Sequence, residues 1–316
     1  MSTHTQLHNE RTIGLAIVAG LILFCAPLDA QLGLGLSPMR VEMRFPAASS
    51  SAPATTPTSQ SGSLTLTNGS GGKSRVRAEI LDFFLDQQET PQFNRAYPKE
   101  SEFSCRNWLS VNPMEVELDA GASAVVRYTV HVPQGATERG YHCAAGFTTL
   151  PPAEQVGATS LKTAVRVVAA FYVTIGSPKI AGGLQDVTLE RYAEKGVQHW
   201  RAVVMMNNPG MIHFRPVGQL EVIDSKGKII ETHDLNAIPV LPKRDQRLLV
   251  PLESPLSGGV YTLRVRADIG TQEIQEASVN VRPLSLPGPG STIIADDDAK
   301  APAKAASTTG TSPRKE

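Results

Sequence analysis

Chemistry at a protein site needs a nucleophile with a base in reach, a set of metal ligands, or a paired acid and base. The seven histidines of this 316-residue chain are scattered. His4 and His8 lie near the N-terminus; His131, His142, His199, His213 and His233 follow without an HExxH or similar spacing, and no GxSxG elbow occurs. Asp82, Asp86 and Glu89 lie close in sequence, and residues 82 and 86 of a strand share a face. A paired-carboxylate site is one reading of them and a solvated strand face is the other, and the second is preferred. Gly71-Gly72-Lys73-Ser74 resembles the end of a phosphate-binding loop, but Thr67 stands where the motif needs glycine, and strands flank it on both sides. A hairpin turn is expected there. No catalytic residue, cofactor site or metal site is therefore predicted.

The cysteines carry a different chemistry. Residues 13–28, IGLAIVAGLILFCAPL, are apolar and uncharged, with Arg11 before them and Ala30 after. That is the layout of an export signal over residues 1–30, cut after Ala30. The run is short for a membrane span, which takes ~20 apolar residues, and Phe24 before Cys25 disfavours lipidation. Removal of the signal leaves Cys105 and Cys143, which in an oxidising compartment read as a disulfide. Two buried thiols are the alternative; a metal site is disfavoured because no CxxC spacing exists and His142 points to the strand face opposite Cys143.

Composition narrows the class. Thirty basic and thirty acidic residues give zero formal charge, which disfavours nucleic acid as a partner. Aromatics make up 5%, with 26 Gly and 23 Pro, the profile of many short strands joined by tight turns. No later segment is apolar and long enough to span a membrane.

Two blocks of alternating strands position whatever site exists, and the predicted fold is all-β with two tandem immunoglobulin-like sandwiches. The first domain spans 32–176. It opens on a strand at 36–43 (LSPMRVEM), followed by a low-complexity loop at 46–62, then SLTLTN, RVRAEILDFFLD, WLSVNP, SAVVRYTVHVP, GYHCAAGFTTL and TAVRVVAAFYVTI. The second spans 177–283, with a hairpin turn at Asp224-Ser225-Lys226-Gly227. Residues 284–316 are rich in Pro, Ala, Ser and Thr and read as a disordered tail.

LSPMRVEM, the run WLSVNPMEVELDAGASAVVRYTVHVP (108–133) and ERGYHCAAGFTTLPP (138–152) resemble the N-terminal domain of the PapD-like periplasmic pilus chaperones. The second block resembles only generic immunoglobulin-like or fibronectin-like modules. The resemblance implies a periplasmic or envelope protein, not an enzyme, that binds a pilus or other fibre subunit by strand addition. It implies a donor strand within 161–173, with Leu161, Thr163, Val165 and Val167 alternating towards one face, and a cleft arginine, Arg40, on the subunit's terminal carboxylate. The family's second anchoring cation falls on Ala169, and the nearest basic residues, Lys162 and Arg166, are out of register. Arg127 matches the family's Val-Arg strand. The competing reading is an envelope structural or adhesive protein that presents sandwich loops to a protein or polymer.

Overall fold

The computed structural model describes residues 33–47, 58–86, 90–94, 101–150, 164–235, 237–256, 258–283 and 310–313. The export signal of 1–30 lies outside them. Among the described residues no helix is long and apolar enough to cross a membrane, and their regular structure is strand apart from a 3-10 turn at Arg106–Trp108.

The first domain is built from β1 (Leu34–Ser37), β2 (Arg40–Phe45), β3 (Ser59–Asn68), β4 (Ser74–Leu85), β5 (Pro91–Asn94), β6 (Leu109–Asn112), β7 (Glu115–Leu118), β8 (Ser123–His131), β9 (Gly140–Leu150) and β10 (Arg166–Ile175). One sheet runs β1-β3-β8-β6; the other runs β2-β10-β9-β4-β5, with β7 also on β4. The alternating pattern of β2, exposed then buried through RVEMRF, puts Val41, Met43 and Phe45 inside and leaves Arg40, Glu42 and Arg44 outside. Between the sheets Leu64, Leu66, Val126, Phe147, Phe171 and Val173 form the core. Each such side chain contributes ~1.5–3 kcal/mol on leaving water.

Two readings of this region are corrected. The opening strand is not continuous. The chain turns at Ser37-Pro38-Met39, so β1 pairs antiparallel with β3 while β2 pairs parallel with β10. Proline has no N–H for a ladder, which fits a change of sheet at that point. Residues 59–62 belong to β3 rather than to the low-complexity loop. Their polar side chains find partners across the strand: Ser61 with Thr129 at 2.7 Å, and Gln60 donating to the Arg44 carbonyl at 2.7 Å.

The second domain comprises β11 (Gly183–Glu194), β12 (Val197–Asn208), β13 (Val217–Ile223), β14 (Ile229–Asp234), β15 (Arg244–Pro251), β16 (Tyr261–Asp268) and β17 (Glu273–Val281). Its sheets run β11-β12-β15 and β14-β13-β16-β17. Its core is separate, with Val204, Met206, Leu220, Leu248, Leu263 and Val265 fully or almost fully buried. Asp224 closes the predicted hairpin, its carboxylate accepting from the Lys226 and Lys228 amides. Within the segment read as a disordered tail, Gly310–Pro313 (β18) adds antiparallel to β17, whose backbone groups on that edge are otherwise open to pairing.

A buried asparagine ends a strand in each domain. Asn68 donates to the carbonyls of Gly72, Leu118 and Asp119 and accepts from the Ser70 amide. Asn208 donates to those of Ile212 and Val240 and accepts from Gly210. Asn208→Leu is expected to destabilise the second domain by about 3 kcal/mol, because three buried backbone groups lose their partner. Thermal unfolding checks this, with Asn207→Ala as a control that shifts stability by no more than ~1 kcal/mol.

Candidate subunit-binding edge and interdomain cleft

β9 covers one edge of β10 over Arg166–Thr174. On the other edge β2 pairs only with Ala170–Ile175, and its cover ends with the Ala170 amide bonded to the Met39 carbonyl at 2.9 Å. Among the described residues no strand pairs with that edge over 166–169. An unpaired edge offers backbone donors and acceptors to an incoming strand.

The sequence-predicted residues take these positions. Val165 and Val167 share a face and pack on the rim of the first core, partly buried; Leu161 and Thr163 lie outside the described residues. Arg40 projects from the outer face of the sheet opposite Ala170, its side chain 57% exposed and 3.7 Å from Glu42. Ala169 points inward and is fully buried, so a cation at that position would sit in the core without water or a partner. Arg166 is on the face of β10 opposite to that of Ala169. It lies four residues along β10 from Ala170, on the outer face, where Thr148 and Glu79 hold it at 3.0 and 3.6 Å. Arg127 is exposed on the other sheet.

A second arginine approaches Glu42 from the second domain. The loop between β12 and β13 carries Arg215, whose side chain is only 16% exposed. Its Nε donates to Glu42 at 3.2 Å and one Nη to the Ala237 carbonyl at 3.1 Å, and the guanidinium lies 4.6 Å over the Tyr172 ring. Its other Nη is buried and has no hydrogen-bond partner among the described residues. Glu42, Arg44, His213, Arg215, Val217 and Asp268 line a cleft of about 770 Å³ between the domains. Burial, then Arg215, Arg40 and Arg44, push the His213 imidazole down to about 3. It is therefore neutral at neutral pH, and the charged side chains in the lining are Arg44 and Arg215 against Glu42 and Asp268. Sequence reasoning missed Arg215 and His213, because a loop residue brought in by domain docking leaves no periodicity or spacing.

The cysteines form the expected disulfide, Cys105–Cys143, with Cα atoms 5.2 Å apart. It fastens residues 101–108 to β9 beside a cavity of about 130 Å³ lined by Asp82, Phe83, Ser104, His142, Leu241 and Arg244. Asp82, preferred above as part of a solvated face, is in fact buried, accepting from the Ser104 hydroxyl at 2.5 Å. His142 does not complete a triad with them; its ring hydrogen-bonds the Phe83 backbone. Asp86 closes its own loop onto Thr90 and Gln92, and Glu89 lies outside the described residues. Ser59 and His131 meet at 2.6 Å, but on the exposed surface of the first sheet.

No family model matches this chain, and no curated protein matches it in sequence. In structure it is similar to the class 5 fimbriae chaperone CfaA, at 13% identity over 80% of this chain and 100% of that one, with a TM-score of 0.40. It is also similar to the E. coli chaperone DraB, at 16% identity over 76% and 94% of the two chains, TM-score 0.36. A third similarity is to the CsuC–CsuE complex of chaperone and tip adhesion subunit from Acinetobacter baumannii, at 12% identity over 77% and 97%, TM-score 0.39. At these values the likeness decides nothing about what the protein binds.

Proposed function

We propose that this protein is an exported, periplasmic chaperone that binds a β-rich fibre or secreted subunit by strand addition. The open edge of β10 beside Arg40 is the observation that carries the reading. Backbone groups of 166–169 supply the ladder, and Val165 and Val167 set the register. Arg40 and Arg215, at the mouth and wall of the cleft, take the subunit's terminal carboxylate. A carboxylate accepts well from paired guanidinium groups, and Arg215 has a donor to spare. The chain acts by binding, and no step of chemistry is assigned to it.

The test is capture from a native envelope extract by the chain from residue 31 onward, wild type beside Val167→Asp, with captured proteins identified by mass spectrometry. Wild type is expected to hold a sandwich subunit that lacks one of its own strands. Val167→Asp is expected to lose roughly 10-fold or more of it, because Val167 packs on the rim of the first core beside the open edge, where an unpaired carboxylate costs well over 1.4 kcal/mol. Equal capture by the two proteins would overturn the reading. Retention on cell-wall polymer with no subunit bound would favour the envelope-scaffold alternative.

A further inference from the structure

We infer that the joint between the two domains is an acid-released latch, in which protonation of His142 and His213 parts the domains while each sandwich stays folded. The joint is small and aromatic. Leu241, from the loop between β14 and β15, inserts among Leu81, Phe83, Leu85, Ala144 and Tyr172 on the outer face of the first domain. His142 projects from β9 onto that face, its ring 4.9 Å from Phe83. His213 arrives from the second domain and stacks on Tyr172 at 4.4 Å, its side chain 10% exposed. One imidazole from each domain is thus built into the contact. Polar ties add to it: the Gly140 amide to the Met211 carbonyl at 2.8 Å, Arg244 to the Leu85 carbonyl at 2.8 Å, and Arg215 to Glu42.

The charged groups that face the two rings are set against a proton on either. Arg40 and Arg44 come from β2, Arg215 from the loop of His213, and Arg244 lines the cavity beside His142. Glu42 on β2, 4.0 Å from the His213 ring, is already shared by Arg40 and Arg215. Asp82 on β4 lines the cavity with its carboxylate bonded to Ser104, and Asp268 faces the cleft from the end of β16. Tyr172 itself is held neutral, burial raising its phenol. Each imidazole also disfavours a proton on the other.

In the closed joint His142 takes a proton at about 4 and His213 at about 3, both lowered first by burial. An imidazole in water takes one near 6.5. Opening therefore binds protons between those values, so the closed form is favoured in full above about 6.5 and loses ground as pH falls towards 4. Two such groups change the open-to-closed ratio by up to ~100-fold per pH unit. The two main cores contain no residue of the opposite domain, so parting sacrifices the cluster around Leu241, the ring contacts on Tyr172 and the polar ties across the joint, and leaves both main cores whole.

Hydrogen exchange of the full chain from residue 31 tests this, because the Gly140 amide bonds across the joint. Its protection factor, corrected for intrinsic exchange, is expected to fall by roughly 10–100-fold per pH unit between about 6 and 4. Amides of Phe171 and Leu220, inside the two cores, are expected to hold. In His142→Phe/His213→Phe the Gly140 protection should become flat with pH, and His213→Phe alone should shed part of the slope if the double variant does not fold. The latch is excluded by a flat wild-type profile, by an unchanged slope in both variants, or by core amides losing protection together with Gly140.

Discussion

Arg40→Ala is expected to weaken subunit binding by roughly 10–100-fold, the equivalent of one charge-assisted hydrogen bond of ~1.5–3 kcal/mol. The side chain is more than half exposed and holds only a 3.7 Å contact to Glu42. Its removal should therefore leave folding stability within ~0.5 kcal/mol of wild type, and the loss reads as binding. The discriminating measurement is calorimetric titration with the captured subunit carrying either a free C-terminal carboxylate or a carboxamide. Wild type should prefer the acid and Arg40→Ala should prefer neither, with the preference shrinking as salt is added. An equal loss for acid and amide would move Arg40 out of any anchoring role. Arg215→Lys is the companion variant. It keeps the charge and gives up the planar fork, and it should fall between wild type and Arg40→Ala.

The second large effect concerns stability. Cys105→Ala/Cys143→Ala is expected to destabilise the first domain by about 4 kcal/mol, the chain-entropy value for a loop of 38 residues. In calorimetry the first-domain transition should drop by roughly 10 °C or more, while the second-domain transition, which rests on a core of its own, should hold. The bridge also fixes the segment where the Cys105 amide bonds the His142 carbonyl and the His142 amide bonds the Phe103 carbonyl. Its loss should raise exchange along 101–108 before the sandwich melts. A shift of under 2 °C would mean that this backbone pairing alone holds the segment.

Most strands were legible because one face of each is buried and the other is wet, which writes a period of two into β2, β3 and β8. Residues 140–150 and 166–175 read as near-continuous apolar runs because both faces are covered: the inner by the core, the outer by the second domain around Leu241 and Tyr172. The division of 36–43 between two sheets was not legible, since alternation continues across Pro38. Nor was the burial of Asp82. A carboxylate that bonds a hydroxyl from a distant loop looks the same in sequence as one in water. At the candidate site Arg40, Val165 and Val167 were found by resemblance to a family pattern, whereas Arg215 and His213 depend on how one sandwich rests on the other. Aligning the missing cation with Ala169 was a matter of parity. Ala169 points inward, and an inward position cannot carry a charge to the cleft.

On the proposed strand-addition reading, the place where β2 leaves β10 would make the open edge a measuring device. A guest chain lying along β10 meets the Met39–Ala170 bond as an end-stop, and Arg40 stands at the stop. Guests are then sorted by where they terminate: one whose end falls at the stop fills the whole edge, whereas one that continues must bend away into the cleft. Lengthening β2 by residues ahead of Pro38 would shorten the gauge, and with it the guests it admits.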